Sequence, residues 1–298
     1  MSLYNHQSFL LALTVIQLFI TSFVCSASVG VHNHGASADL YNNFTTYEFG
    51  QSYKDLYKVK SFFHQFGYLS NTPPFNDNYD DTLVSAIQTY QKYYNLKVTG
   101  KLDHDTVQHI SVPRCGVPDI NTGKHPNYVF FNGSNGPPRY PPGTTKLTYA
   151  FLPENKVIDK FKHVFAIVFN RWSSVIKIQF EETASYDTAN IKIGFYKGNH
   201  GDWPPFDGQG GQWAHAFAPT YGQAHFDIQE NWKPDITGLT DPTSTDLESI
   251  AMHEIGHVLG LYHTPVQSAI MYAYINSLTR KVELTDDDIQ GIRKLYGL

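Results

Sequence analysis

The sequence predicts an α+β protein: a small unit of three helices is followed by a larger domain in which helices cover a twisted mixed sheet. Before residue 111, apolar residues recur in three segments at helical spacing. Residues 121–145 are crowded with Gly, Pro and Asn, which is typical of an exposed linker. Beyond the linker, segments that alternate like strands are interleaved with amphipathic helical segments, an order that favours a sheet covered by helices.

Each predicted element follows from the spacing of its apolar residues. In the first unit, Leu56 and Phe63 share one helical face, and Leu83 and Ile87 share another. Three helices are therefore predicted over 51–67, 80–95 and 103–110. In the larger domain, the patterns predict five strands over 146–152, 176–180, 191–196, 213–217 and 223–228, and three helices over 156–175, 246–259 and 286–296.

The composition and the N-terminal segment limit the functions that the chain can have. The 298-residue chain has a formal net charge of −5 and a pI of about 6.2, so it has no positively charged footprint for nucleic acid. An apolar run from Phe9 to Val24, followed by small residues, predicts a signal peptide over residues 1–27; a membrane anchor is the alternative. Secretion agrees with glycosylation sequons at Asn43 and Asn132.

The segment HEIGHVLGLYH carries the strongest metal signal in the chain. On a helix that begins with the capping box Thr245–Glu248, His253 and His257 stand one turn apart on the same face. Gly260 permits the left-handed turn that ends the helix and returns His263 as a third ligand. Three histidines leave a fourth position for water, which is typical of catalytic zinc. The alternative is a set of histidines scattered by chance on an ordinary helix.

A second group of nitrogen and oxygen ligands falls within residues 200–232. Its members His200, Asp202, His215 and His225 would complete a closed tetrahedral site of the structural zinc type; strand histidines without metal are the alternative. Between them lies a glycine-rich loop whose carbonyls, with nearby carboxylates, suit calcium; a solvated acidic loop is the alternative. The predicted calcium residues are Asp207, Gly208, Gly210, Gln212, Asp227 and Glu230.

Together with PRCGVPD upstream and AIMY downstream, HEIGHVLGLYH resembles the matrix metalloproteinases, the matrixin branch of the metzincin peptidases. The resemblance is greatest for plant members that lack a hemopexin-like domain. It implies a metzincin catalytic domain over residues 136–298 and a propeptide over 28–135, whose helical unit at about 50–110 resembles peptidoglycan-binding modules. It also implies a secreted, extracellular zinc endopeptidase with two zinc ions and calcium, located in the apoplast or cell wall if the source is a plant.

Cys115 in PRCGVPD has no evident partner, because cleavage of the signal peptide would remove Cys25, the other cysteine. The resemblance implies a cysteine switch: the Cys115 thiolate takes the fourth zinc position, and a pair formed by Arg114 and Asp119 shapes the loop. The alternatives are an intermolecular disulfide or an inert buried thiol. Activation is expected through cleavage in the 121–145 linker, by another peptidase or by the enzyme itself.

For peptide-bond hydrolysis, Glu254 is the expected general base and acid, and zinc-bound water is the nucleophile. The substrate, an extended protein or peptide segment, is expected to add to the edge of the WAHAF strand. Ala273 stands where the family usually has proline, after the Met-turn residue Met271, so an unusual substrate pocket is expected. The chain is expected to be a monomer. The rival functions are an inactive zinc-binding module and carbohydrate binding by the helical unit.

Overall fold

The structure is a computed structural model that describes residues 47–70, 72–120, 138–202 and 204–298. The predicted signal peptide, Cys25, both sequons and the boundary at residues 135 and 136 lie outside the described residues. In the part of the chain that the structure describes, no helix combines the length and the hydrophobicity needed to cross a membrane.

The first unit consists of three helices around an aromatic core, as the sequence predicts. The helices are α1 (Leu56–Gln65), α2 (Asp81–Tyr93) and α3 (His104–Ile110). Aspartates cap two of them: Asp80 accepts from the Leu83 N–H, and Asp103 accepts from the Thr106 N–H. Within the core, the fully buried rings of Phe63 and Tyr90 meet edge to face with centroids 5.5 Å apart.

The larger domain is built on a five-stranded mixed sheet, which confirms the predicted fold class. Its strands are β1 (Lys146–Phe151), β2 (Gln179–Glu182), β3 (Ile191–Tyr196), β4 (Ala214–Phe217) and β5 (Gln223–Asp227). The spatial order is β2-β1-β3-β5-β4; all neighbours are parallel except β4, which lies antiparallel to β5 at one edge. This edge position leaves one side of β4 without a neighbouring strand of the sheet, so that side can pair with another extended segment.

Three helices accompany the sheet: α4 (Asp159–Ser173), α5 (Leu247–Val258) and α6 (Asp286–Tyr296). Helices α4 and α5 pack against each other, and α5 also packs against β4. The buried Trp172 of α4 donates its indole N–H to the Met252 carbonyl of α5 at 3.1 Å. This bond ties the helix that carries two of the predicted ligands to the centre of the core.

Several boundaries differ from the predicted ones for local reasons. The second strand begins at Gln179 instead of Ile176, because the Ile176 N–H still bonds to the Trp172 carbonyl in the turn that ends α4. Two short parallel strands, β6 (Asn231–Lys233) and β7 (Ser244–Asp246), were not predicted, since three residues are too few to reveal a period.

The capping box predicted at Thr245 is wrong by one residue. Asp246 is the N-cap of α5, and its carboxylate accepts from the Ser249 N–H at 3.1 Å. Thr245 belongs to β7, where its hydroxyl donates to Glu230 instead. The helix nevertheless starts within two residues of the predicted position, so the phase of its ligands is unaffected.

Candidate metal centres and the strand that covers them

Helix α5 and the turn after it bring three imidazoles together. His253 and His257 stand one turn apart on the fully buried helix, and Gly260, two residues after its last residue Val258, has a φ of 105°. A Cβ at Gly260 would lie 1.9 Å from the Pro138 carbonyl oxygen, so only glycine fits this turn. The returning chain carries His263, and the three Nε2 atoms lie 3.1 Å from one another.

The outer nitrogens of two of these rings fix their tautomers. Nδ1 of His253 lies 2.8 Å from the Ile270 carbonyl oxygen, and Nδ1 of His257 lies 2.8 Å from that of Leu261. Because a carbonyl can only accept, both Nδ1 atoms carry the proton. Burial, reinforced by neighbouring imidazoles, lowers the pKa of both histidines well below the ordinary value, so the rings are neutral.

The inner nitrogens therefore present lone pairs to one another. Three lone pairs that converge at 3.1 Å repel each other unless a cation lies between them. Tetrahedral zinc with bonds of about 2.0 Å would separate its nitrogen ligands by about 3.3 Å. The donor set and its spacing thus fit zinc.

Cys115 joins this group from the other side. Its Sγ and the histidine nitrogens all lie within 4.8 Å of one another, and all four side chains are buried. The Cys115 N–H donates to the Ala273 carbonyl at 3.0 Å, and the Gly116 N–H donates to the Ala214 carbonyl at 2.8 Å. The segment 114–116, the cysteine strand, is therefore held between the edge strand β4 and the segment after the Met-turn.

The loop that follows Cys115 is fixed by a buried ion pair. The Arg114 guanidinium binds both oxygens of Asp119, with distances of 3.0 and 2.7 Å. The same carboxylate accepts from the Tyr68 hydroxyl and from Nδ1 of His263, each at 2.7 Å. Burial alone would raise the pKa of Asp119, but the charge of Arg114 and the bond from His263 hold it well below the ordinary value. Asp119 thus orients a zinc-ligand candidate 144 residues away, a contact that no sequence signal indicated.

Glu254 lies beside the cluster without conventional partners. Its side chain is fully buried, and neither carboxylate oxygen forms a hydrogen bond to the residues that the structure describes. Burial raises the pKa of Glu254 to about 8, an effect that the adjacent Cys115 thiol partly offsets. Burial and the Glu254 carboxylate in turn raise the pKa of the Cys115 thiol. A buried carboxylate with free lone pairs next to a metal cluster suits a general base.

The Met-turn lies directly beneath the histidines. A Cβ at Gly256, inside α5, would lie 2.3 Å from the Met271 sulfur, so the helix needs glycine to admit this side chain. The buried Asp288 carboxylate accepts from the Ile270 N–H at 2.9 Å and from the Met271 N–H at 3.1 Å. The same carboxylate forms a capping box with Thr285 at the start of α6. The last helix thereby fixes the turn.

The second predicted ligand group also converges. One Asp202 oxygen lies 2.9 Å from Nε2 of His215 and 2.8 Å from Nδ1 of His225. Nε2 of His200 lies 2.7 Å from the other oxygen without hydrogen-bond geometry. All four ligand atoms lie within 4.8 Å of one another. Burial lowers the pKa of His225 to about 4, so this ring is neutral and available to a metal.

Comparison with known proteins agrees with this geometry. The Matrixin family matches residues 142–297, and the putative peptidoglycan binding domain matches residues 52–110. The chain belongs to the matrixin family. This matrixin is 52% identical to Metalloendoproteinase 1 of Glycine max, over 100% of this chain and 99% of the relative. It is 43% identical to Metalloendoproteinase 2-MMP of Arabidopsis thaliana, over 87% of this chain and 75% of the relative.

A more distant relative is Stromelysin-1 of Mus musculus, which is 37% identical over 72% of this chain and 43% of that relative. The predicted family and the predicted enzyme class, a zinc metalloendopeptidase, are confirmed.

Three carboxylates are associated with the loop that is predicted to bind calcium in this matrixin. The N–H groups of Gly208 and Gly210 donate to Asp227 and Glu230 at 3.0 and 2.8 Å. Burial, reinforced by the charge of the Asp227 carboxylate, raises the pKa of Asp207 to about 6 and that of Glu230 to about 7. A bound cation would stabilise carboxylates whose negative charges repel one another. The oxygens of these three carboxylates do not all lie within 4.8 Å of one another, however, whereas the ligand atoms of the two predicted zinc sites do.

The Gln212 side chain points away from this loop. Its amide nitrogen lies 3.1 Å from Nδ1 of His215, and its oxygen accepts from the Gln65 amide of the helical unit at 3.0 Å. A calcium role for Gln212 therefore remains a prediction about its backbone carbonyl.

A hydroxyl network joins the helical unit of this matrixin to the segment after the Met-turn. His109 of α3 bonds through its two ring nitrogens to the hydroxyls of Tyr90 and Tyr272. The Tyr90 hydroxyl also bonds to that of Tyr274 at 2.7 Å. Ala273, Tyr272 and Tyr274 are buried in the same apolar cluster as the helical unit, and not in the main core. This packing was not foreseen from the sequence.

Proposed function

We propose that this matrixin is made as a latent, secreted endopeptidase in which Cys115 occupies the fourth zinc position until the propeptide is cleaved. The observation that carries the proposal is the convergence of the Cys115 sulfur with the Nε2 atoms of His253, His257 and His263 within 4.8 Å. A thiolate in that position leaves no place for a water molecule. The unit over residues 28–135 would be the propeptide, and 136–298 the catalytic domain.

Removal of the cysteine strand would open the groove to a substrate. The Ala214 and Ala273 carbonyls, which accept from the cysteine strand, would then accept from an extended protein or peptide segment added to the edge of β4. Zinc held by the three histidines would supply a Lewis acid that polarises the scissile carbonyl, lowers the pKa of water and favours the ionised form of Glu254. Glu254 accepts a proton from the attacking water and passes it to the leaving amine nitrogen.

The remaining metal sites would stabilise the fold. We assign a second zinc to the group of His200, Asp202, His215 and His225, whose four ligand atoms leave no open position. A calcium ion would lie at the glycine-rich loop, where it would offset the mutual repulsion of the buried carboxylates. Its proposed ligands are Asp207, Gly208, Gly210, Gln212, Asp227 and Glu230.

Two substitutions in the full chain test the proposal. After limited proteolysis has removed the propeptide, Glu254→Ala should keep zinc, measured by metal analysis, and should cleave a peptide about 10²- to 10⁴-fold more slowly than the processed wild type, because only the proton transfer is lost. Cys115→Ser should cleave the same peptide without prior activation, while the wild-type chain stays latent. Glu283→Gln, a charge change at a side chain that is 82% exposed, serves as the control. Full turnover in Glu254→Ala, or latency in Cys115→Ser, would contradict the assignment.

A further inference from the structure

The cysteine strand carries an arginine whose guanidinium touches the catalytic domain through one aromatic side chain. Nη1 of Arg114 lies 3.0 Å from the Tyr274 hydroxyl, and Cζ lies 4.7 Å from the centroid of the Tyr274 ring. The other side chains recorded against this guanidinium belong to the propeptide: Phe66 at 3.4 Å, Phe62 at 6.0 Å and the ion-paired Asp119. Among the described residues, Tyr274 is thus the catalytic domain's contribution to arginine binding.

Tyr274 lies where a substrate must pass. Arg114 pairs in parallel with the segment just before β4: its N–H donates to the Gly211 carbonyl at 2.7 Å, and its carbonyl accepts from the Trp213 N–H. On the opposite side, Arg114 bridges to Tyr274 itself, next to the Ala273 carbonyl that binds the Cys115 backbone. Any extended chain that presents a peptide carbonyl to the histidine cluster fills this groove and places a side chain beside Tyr274.

Loss of the propeptide would free both binding elements of this tyrosine. In the latent form Tyr274 is 5% exposed, and its hydroxyl is shared between Arg114 and Tyr90. Without those partners, the ring face and the hydroxyl oxygen border the open groove. An aromatic face stabilises a planar cation, and the hydroxyl accepts one of its N–H groups.

We propose that Tyr274 forms a subsite for an arginine side chain of the substrate, close to the bond that is cleaved. This inference rests on the proposed proteolytic function and adds a specificity determinant to it. Arg114 fills the subsite in the latent form, so the propeptide blocks both the metal position and the neighbouring subsite. The substrate class is therefore an extended peptide with an arginine that flanks the scissile bond.

Paired peptides test the subsite. The full chain is processed to its mature form by limited proteolysis in the 121–137 region and is given peptides that differ only in arginine or citrulline, its uncharged isostere. The exchange is scanned through three positions on each side of the cleaved bond. At one position, arginine should raise kcat/KM by about 3- to 30-fold over citrulline. Tyr274→Leu should bring this ratio close to 1, and Tyr274→Phe, which keeps the ring, should leave an intermediate ratio.

The matched control is Tyr272→Phe, because the Tyr272 hydroxyl binds His109 and not Arg114; it should leave the ratio as in the wild type. A wild-type ratio near 1 at all positions, with citrulline peptides still cleaved, would overturn the subsite and leave the proteolytic function intact. An unchanged ratio in both Tyr274 variants would also overturn it. If the mature chain cleaved none of the peptides, the proposed function itself would fail, and the subsite with it.

Discussion

Acidification is expected to weaken the contact between the proposed propeptide and the catalytic domain through His109. Burial, reinforced by the charge of Arg114 and opposed by Asp119, lowers the pKa of His109 from 6.5 to about 4. Once the propeptide lifts away and the ring meets water, its pKa returns to the ordinary value. The lifted form therefore binds the proton first as the pH falls below about 6.5, and the latent contact weakens from there down to about pH 4. At pH 5 the two pKa values give a loss of about 2 kcal/mol, or about 30-fold in the lifted fraction.

Cys115 reports this opening, since its thiol is buried in the latent form. The rate of modification at Cys115 itself, separated from that at Cys25 by peptide mass, is measured in the full chain at pH 7.5 and pH 5, for the wild type and for His109→Gln. Glutamine stays neutral and still offers a donor and an acceptor to the two tyrosine hydroxyls. The ratio of the wild-type rate to the variant rate should be about 30-fold higher at pH 5 than at pH 7.5. The intrinsic ionisation of the thiol affects both proteins equally and therefore cancels in this ratio.

His104→Gln, at an exposed position of the same helix, is the control and should leave the wild-type pH dependence in place. A wild-type to His109→Gln ratio that is equal at both pH values would refute the reasoning.

Two further predictions concern stability. Gly256→Ala should destabilise the fold by about 1–3 kcal/mol, because the new Cβ meets the Met271 sulfur at 2.3 Å. Gly291→Ala, where the nearest atom is a flexible leucine methyl at 3.3 Å, should be neutral or stabilising, and equal Tm shifts in the two variants would count against the packing argument. In the absence of calcium, Asp207 and Glu230 bind protons more tightly in the folded state than in the unfolded state, because their pKa values are raised by folding. The fold is therefore most stable at low pH, and this stability is lost as both groups ionise between about pH 4 and pH 7. Added calcium should therefore raise the Tm more at pH 8 than at pH 5, and a pH-independent shift would argue against the site.

The features that the sequence predicted well depend on local spacing. His253 and His257 follow from the helical period, Gly260 and His263 follow from the turn that ends the helix, and the strand over residues 191–196 follows from strict alternation. The helix start was displaced from Thr245 to the next residue, because a two-stranded ladder competes for that threonine.

Long-range contacts could not be predicted in this way. The bond between Asp119 and His263 joins residues 144 positions apart, and the packing of Tyr272 and Tyr274 on the helical unit depends on how two domains dock. No periodicity in a single sequence carries that information. In a short stretch of sequence, the residues of a domain interface look the same as ordinary core or surface residues.

The hydrogen bond from His263 to Asp119 has a consequence for the lifetime of the mature enzyme. His253 and His257 donate hydrogen bonds to carbonyls of the catalytic domain, whereas His263 donates to a carboxylate that would depart with the proposed propeptide. Loss of such a supporting partner typically weakens metal retention by about 10- to 100-fold. Maturation would thus yield an enzyme that gives up its ion to a chelator more readily than its precursor does, so that the step that switches on proteolysis also begins to limit how long it lasts.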